Sequence, residues 1–302
     1  MFCSKTEVRD ENKARANRVS SRDNDKVFTG LIPRLYEKHL VSVIFEPYAA
    51  QLAGRLASRL LTRVLEIAAG TGVATRRLAS VLPDNVSIVA TDLNQPMLDQ
   101  AAAIGTKHPV ERRQADAMQL PFEDGMFDAV VCQFGVMFFP EKSKAFSEAR
   151  RVPRSGGVFI FSVCDRIEEN EFADTVTTAL ESLLPKEPPR FLARTPDGYY
   201  DRSTIEGDLA NGGFTASPQT STVAARSRAT SSLIPAVAYC QGRPLRNEIE
   251  ARDASRPGEA TNAAAEAIAQ RFGQGARLFP RLRLGKEVLL RRTAENGVVV
   301  LM

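Results

Sequence analysis

Apolar positions along the chain fall into three regimes. Over residues 28–58 they recur at helical spacing, at Leu35, Leu40, Val43, Ile44, Leu52 and Leu56, with Pro33 and Pro47 as punctuation. Side chains three and four residues apart share one helical face, so this stretch predicts two or three short helices. From Thr62 the pattern changes to short apolar runs over 63–67, 87–91, 110–115, 127–133 and 158–163. Amphipathic helical spacing separates them over 72–82, 96–104 and 142–152. Strand and helix alternating in this way require βαβ crossovers and a parallel sheet. Gly156-Gly157 ahead of the fifth run is a turn signal.

Beyond Asp165 the periodicity weakens. A helix is predicted over 172–184, ended by Pro185, Pro188 and Pro189. Strands are predicted over 214–223 and 287–292, and helices over 236–251 and 260–272. The chain divides into a polar, disordered tail over 1–27, a helical segment over 28–61, an α/β core over 62–170 and a C-terminal completion of the sheet over 171–302.

Composition narrows the class only a little. Of 302 residues, 43% are hydrophobic and 25% charged, the balance of a globular protein with a core large enough to need no staples. The net charge of +4 is spread over scattered arginine pairs, so nucleic acid is not an expected partner. Cys3, Cys132, Cys164 and Cys240 lie far apart, and His39 and His108 are the two histidines, so no metal site is expected. No run is long and apolar enough to span a bilayer, and the first residues lack an apolar signal core; a cytoplasmic location is the expectation.

The chemistry is carried by Val64 to Gly72, VLEIAAGTG, followed by Val89 to Asp92, VATD. Glycine lets a ligand approach the backbone without a Cβ in the way. In a doubly wound sheet this loop lies at the carboxyl ends of the strands, beside the topological switch point. Asp92 follows the loop by about 20 residues, where a carboxylate can accept from both hydroxyls of a ribose. Glycines and acid together also fit NAD. Three features select S-adenosylmethionine instead. Thr75 stands where the dinucleotide pattern has its third Gly or Ala; Glu66 suits an ammonium or sulfonium and repels a pyrophosphate; Asp116, after the third strand, can accept from an adenine amino group.

These segments, with RQADAMQLPFEDGMFDAVVCQFGVMFFP and EARRVPRSGGVFIFSV, resemble the successive motifs of the class I S-adenosylmethionine-dependent methyltransferases. The likeness is to the small-molecule branch (methyltransferase type 11) that serves ubiquinone and menaquinone biosynthesis, and it covers residues 28–163 best. It implies a Rossmann-like, doubly wound, mostly parallel seven-stranded sheet with helices on both faces. It also implies that 28–61 is an N-terminal helical lid, that 62–170 binds the cofactor, and that 171–302 adds a helical acceptor-site insertion. One departure is Ala68, where many members have glycine. Carried over, the resemblance puts Glu66, Ala68 and Gly70 at the methionine end of the cofactor and Gly72 at a close approach. Asp92 takes the ribose, Leu93 packs on adenine, Asp116 bonds its amino group with the Ala117 amide nearby, and Met97 is a further cofactor contact. Gln133 and Phe134 lie beside the sulfonium. Tyr36, Phe45, Tyr48, Met137 and Phe138 are the candidate acceptor contacts.

Methyl transfer from a sulfonium is an in-line displacement in which the protein chiefly aligns and desolvates the reactants. No general base is required by this chemistry; Asp165 and His39 are the nearest candidates. The run Gln133 to Pro140 lacks the N-P-P-Y pattern of a base-flipping adenine methylase, and its apolar, aromatic character suits a small, partly apolar acceptor. Of Val136, Met137 and Phe139, two are expected in the core. An RNA or protein methyltransferase, a non-catalytic cofactor binder and a nicotinamide oxidoreductase are the competing readings. The sequence leaves the choice between monomer and homodimer open.

Overall fold

The central apolar runs become strands buried on both faces, as a parallel sheet covered by helices demands, whereas the run over 110–115 forms an exposed strand at the sheet edge. In the computed structural model, β1 (Arg63–Ile67), β2 (Ser87–Asp92), β3 (Glu111–Gln114), β4 (Phe127–Gln133) and β5 (Pro153–Ser162) pair in parallel. Two later strands, β6 (Gln219–Arg226) and β7 (Arg281–Arg291), complete a seven-stranded sheet in the order β3-β2-β1-β4-β5-β7-β6. Parallel pairing is thus confined to five strands, and β7 runs antiparallel to both β5 and β6. The structure describes residues 24–273 and the strand 281–291; most of the polar tail, residues 1–23 with Cys3, lies outside the described residues.

Helices cover both faces. Ahead of the sheet run α1 (Ile32–Leu35), a π-helix (Tyr36–Phe45) and α2 (Glu46–Ala57). Then come α3 (Val73–Val81), α4 (Gln95–Ile104), α5 (Lys142–Arg151) and α6 (Glu171–Leu183). Val64, Ala129, Val131, Val158 and Ile160 point to one face, against Leu52 and Leu56 of α2 and Leu78 of α3. Their neighbours Leu65, Val130, Cys132 and Phe161 point to the other, against Phe146 of α5 and Phe172 of α6. The alternation follows from the two-residue period of a strand.

Several boundaries differ from the expectations, each for a local reason. The N-terminal helices form one continuous run: Pro33 sits in its first turn, where a missing N–H costs nothing, and Pro47 falls at the switch from π to α winding, where the hydrogen-bond ladder changes register. Its middle is wound as a π-helix, a form concentrated at functional sites. The fifth strand begins at Pro153, five residues early. Gly156, at φ +79°, and Gly157 form a bulge inside it rather than a turn before it, and the register to β4 shifts there. The helix expected over 236–251 breaks into α9 (Leu233–Cys240) and α10 (Leu245–Glu250), after the short helices α7 (Phe191–Arg194) and α8 (Arg202–Asn211). A Cβ on Gly242 would stand 2.7 Å from the Ala238 carbonyl and 3.3 Å from the Tyr36 nitrogen, so this break lets the turn press onto the N-terminal helix. The chain continues through α11 (Pro257–Phe272). The strand expected over 214–223 lies at β6, five residues later in its start. The last one starts at Arg281 rather than 287, since Arg281, Arg283 and Lys286 mask its apolar pattern.

The tail also ends earlier than residue 27. Asp25 is buried, and its carboxylate accepts from Arg194 Nη2 at 2.6 Å and Nε at 3.0 Å, and from the Thr195 hydroxyl. Asn247 holds the Val27 carbonyl at 3.2 Å, and Asn94 holds that of Lys26 at 3.0 Å. The buried ion pair fixes a short strap across the carboxyl end of the sheet. Asp25→Asn removes one of the two carboxylate partners of Arg194, leaving Glu248 Oε1 at 3.2 Å from Nη1, and a loss of about 1–2 kcal/mol is expected. Urea unfolding measures it, and faster proteolysis between residues 24 and 31 marks release of the strap; unchanged cleavage would mean the pair latches nothing.

Candidate functional site

A cavity of about 270 Å³ opens where the strand order reverses, between β1 and β4, the place at which doubly wound sheets bind ligands. Its floor comes from the ends of three strands: Ile67, Ala68 and Gly70 after β1, Asp92 to Asn94 after β2, and Gln133 to Gly135 after β4. Ala115 to Met118 and Met97 of α4 form one wall. Phe28, Tyr36 and Phe138 to Pro140 form the other, largely apolar side, with Lys26 beside them.

The loop after β1 is held by Asp92. Its carboxylate is buried and accepts from the Gly70 amide at 2.8 Å through Oδ2 and from the Asn94 amide at 2.8 Å through Oδ1. Burial raises its carboxyl above the ordinary range, and these amide bonds oppose the rise. Asp92 is not the cap of α4. That position belongs to Asn94, whose side chain instead accepts from the Phe28 amide at 3.1 Å and ties strap to loop. Gly70 sits at φ +57°, and a Cβ there would lie 3.5 Å from Met97 Cε and 3.9 Å from the Tyr36 hydroxyl. Ala68 and Phe134 are the non-glycine residues with positive φ among the described residues, at 55° and 53°, and both line the cavity. Strained backbone of this kind collects at binding sites.

Of the residues expected around the cofactor, Ala68, Gly70, Asp92, Leu93, Met97, Asp116, Ala117, Gln133 and Phe134 line this cavity together. Asp116 Oδ1 accepts from the Met118 amide at 2.9 Å. Gln133 donates through Nε2 to the Phe45 carbonyl at 3.1 Å, which leaves its buried Oε1 without a partner beside the cavity. Glu66 and Gly72 are not on the lining. Glu66 is buried behind the loop, where the Thr75 hydroxyl donates to its Oε2 at 2.5 Å. The residue that breaks the dinucleotide pattern thus serves as the partner of the first acid.

Burial pushes the Glu66 carboxyl up to about 8. A raised folded-state value means that folding favours the protonated form. Stability from Glu66 is full below about pH 4.5 and is lost as pH rises through about 8. The ligand-free Glu66→Gln variant, which keeps an acceptor for Thr75, should therefore melt with the wild type near about pH 5 and a few degrees above it near about pH 8.5. Parallel melting curves across that range would remove Glu66 as a titrating group.

Among the acceptor candidates, Tyr36 and Phe138 line the cavity. Phe45 and Tyr48 stand one layer back: Phe45 stacks on Tyr36 with centroids 5.3 Å apart, and Tyr48 meets Phe134 edge-on at 5.5 Å. Val136 and Met137 are core, whereas half-buried Phe139 lines the cavity. Asp165 accepts from the Arg166 amide at 2.9 Å, and His39 sits on the π-helix; neither reaches the lining. Sequence reasoning missed Lys26, Phe28, Asn94 and Gly135. The first two fell in or next to a segment read as tail, and Asn94 read as an ordinary helix start.

A Methyltransferase domain model matches residues 65–161. The chain is 30% identical over 184 residues to the ubiquinone/menaquinone biosynthesis C-methyltransferase UbiE of Pseudomonas fluorescens, covering 57% of this chain and 71% of that one. With the enzyme of the same name from Teredinibacter turnerae it shares 28% over 201 residues, 62% of this chain and 76% of that one. A solved structure, the YcgJ protein of Bacillus subtilis, superposes with a TM-score of 0.47 at 17% identity, covering 80% of this chain and 98% of that one.

Proposed function

The chain belongs to the S-adenosylmethionine-dependent methyltransferases, alongside the UbiE enzymes, and we propose that it transfers a methyl group to a small, partly apolar acceptor. The observation that carries this reading is the cavity floor, where Asp92 and the glycine loop meet at the switch point under an aromatic wall. S-adenosylmethionine supplies an electrophilic methyl on a sulfonium. The residues present fit it: an acid at the end of β2, a cradle that a Cβ at Gly70 would crowd, and an orphaned acceptor on Gln133.

In this reading Asp92 takes the ribose hydroxyls, and Asp116 and the Ala117 amide take the adenine edge between Leu93 and Met97. Gly70 and Gln133 Oε1 face the methionine end, with Ala68 and Phe134 below it. Glu66 acts from behind: it is mostly protonated at neutral pH in the ligand-free protein, and a cation bound in front of it draws it toward the carboxylate form. The strap and the helical run over 28–61 act as the lid, with Phe28, Tyr36, Phe138 and Phe139 excluding water from the reacting atoms. Positioning of this kind supplies roughly 7–11 kcal/mol of a barrier, so no general base is assigned. Small acceptors are supported by the relatives' names, which place them in quinone biosynthesis. Among the described residues no helix is long and apolar enough to cross a membrane.

Calorimetry with S-adenosylhomocysteine and with NAD tests the cofactor, and uptake of labelled methyl across a panel of small acceptors tests the reaction. Binding of NAD in preference to S-adenosylhomocysteine, or methyl uptake into RNA or protein alone, would overturn the reading.

A further inference from the structure

Next to the aromatic wall, three polar groups stand together without partners. Arg243, in the turn between α9 and α10, is 8% exposed. Its guanidinium lies 4.9 Å from the centroid of the Tyr239 ring, and it makes no hydrogen bond or ion pair with any described residue. The hydroxyls of Tyr239 and Tyr36 likewise have no hydrogen bond to a described residue. The turn carrying Arg243 presses on the backbone of Leu35 and Tyr36 through Gly242. Arg243 is the leading charge acting on both tyrosines, which places the three groups in one another's field.

The Arg243 side chain is largely buried, yet no described residue supplies an acceptor for its five guanidinium donors, which leaves them for an incoming one. The nearby carboxylate is Asp197, which Arg243 also influences. It forms no ion pair with Arg243; its Oδ1 accepts from Asn170 Nδ2 at 2.6 Å instead. Burial pushes the Asp197 carboxyl up to about 7, so it neutralises Arg243 only in part and repels an incoming anion only in part. An oxyanion set against a guanidinium fork and two phenol O–H groups would satisfy all three at once. Tyr36 also lines the cofactor cavity, so a molecule held here extends toward the methyl group.

We propose that Arg243, Tyr36 and Tyr239 bind an anionic head group, a carboxylate or a phosphate, on the methyl acceptor. The apolar body of that acceptor lies along Tyr36 and Phe138. This inference rests on the methyltransferase reading for the identity of the ligand as acceptor, but not for the existence of the anion site.

The test uses the full chain saturated with S-adenosylhomocysteine and matched probes that differ in charge: phenylacetate against phenylacetamide, 3-phenylpropionate against its amide, and phenyl phosphate against phenol. Calorimetry and thermal shift are the readouts. At least one charged probe is expected to bind about tenfold more tightly than its neutral partner, and the favoured member shows whether carboxylate or phosphate is preferred. Arg243→Met should erase the preference and leave S-adenosylhomocysteine affinity unchanged, while Arg243→Lys keeps part of it. Tyr239→Phe, which removes one donor and little volume, should reduce it about threefold and serves if Arg243→Met fails to fold. Equal binding within every pair, or a preference that survives Arg243→Met, overturns the proposal. A matching loss of S-adenosylhomocysteine affinity also overturns it, because the anion would then be the cofactor's own carboxylate. If the wild type does not bind S-adenosylhomocysteine, the functional reading falls, and the same pairs on the free protein still decide the anion site.

Discussion

Asp92→Ala is expected to weaken S-adenosylhomocysteine binding about 10- to 100-fold, the size of a charge-assisted hydrogen-bond pair worth about 1.5–3 kcal/mol. Two losses combine. The ribose acceptor goes, and the Gly70 amide, now held at 2.8 Å by Asp92 Oδ2, loses its partner in a buried loop. Asp92→Asn separates them, since the amide side chain keeps one acceptor and a similar shape. It should lose less affinity than Asp92→Ala and melt closer to the wild type. Calorimetry with thermal unfolding on both variants measures the two effects, and full cofactor affinity in Asp92→Ala would remove Asp92 from the ribose position.

Gly135→Ala should cost about 1–3 kcal/mol of stability and most of the cofactor affinity. The backbone is not the obstacle, because Gly135 has φ −102° and ψ −35°, which alanine accepts. Space is. A Cβ there would fall 2.5 Å from Ala68 Cβ and 2.6 Å from Cys132 Sγ, in a fully packed region under the cavity, and overpacking of that kind displaces its neighbours. The same contact explains the departure at position 68. Alanine fits there despite φ +55° because Gly135 leaves room for its methyl group. Adding Ala68→Gly removes one of the two clashes and the positive-φ strain. Ala68→Gly should gain at least about 1 kcal/mol more in the Gly135→Ala background than in the wild type, a coupling expected only of residues in contact. Strict additivity in urea unfolding would contradict this account.

Much of the fold was legible because local physics repeated it. β1 and β4 match the predicted runs end to end, and α4 and α5 differ by one residue at one end. Each run is bounded by loop residues, and burial on both faces makes parallel strands continuous apolar runs. The C-terminal part was less legible. Its strand β6 has no fully buried position, and the break at Gly242 answers to the N-terminal helix some 200 residues away.

The sequence by itself determined the sheet order's starting motif, the glycine loop, the acid at its proper distance and hence the cofactor class, since all of these lie in short stretches with fixed spacing. Tertiary structure alone decided which side chains face the cavity. It set Glu66 behind the loop as the partner of Thr75, and brought Asn94 and the strap over Asp92. It also brought Tyr36 of the N-terminal run up to Tyr239 and Arg243, some 200 residues later, in one field. No periodicity encodes such meetings, because they depend on how one element packs against another, and that is settled by shape and desolvation across the whole core.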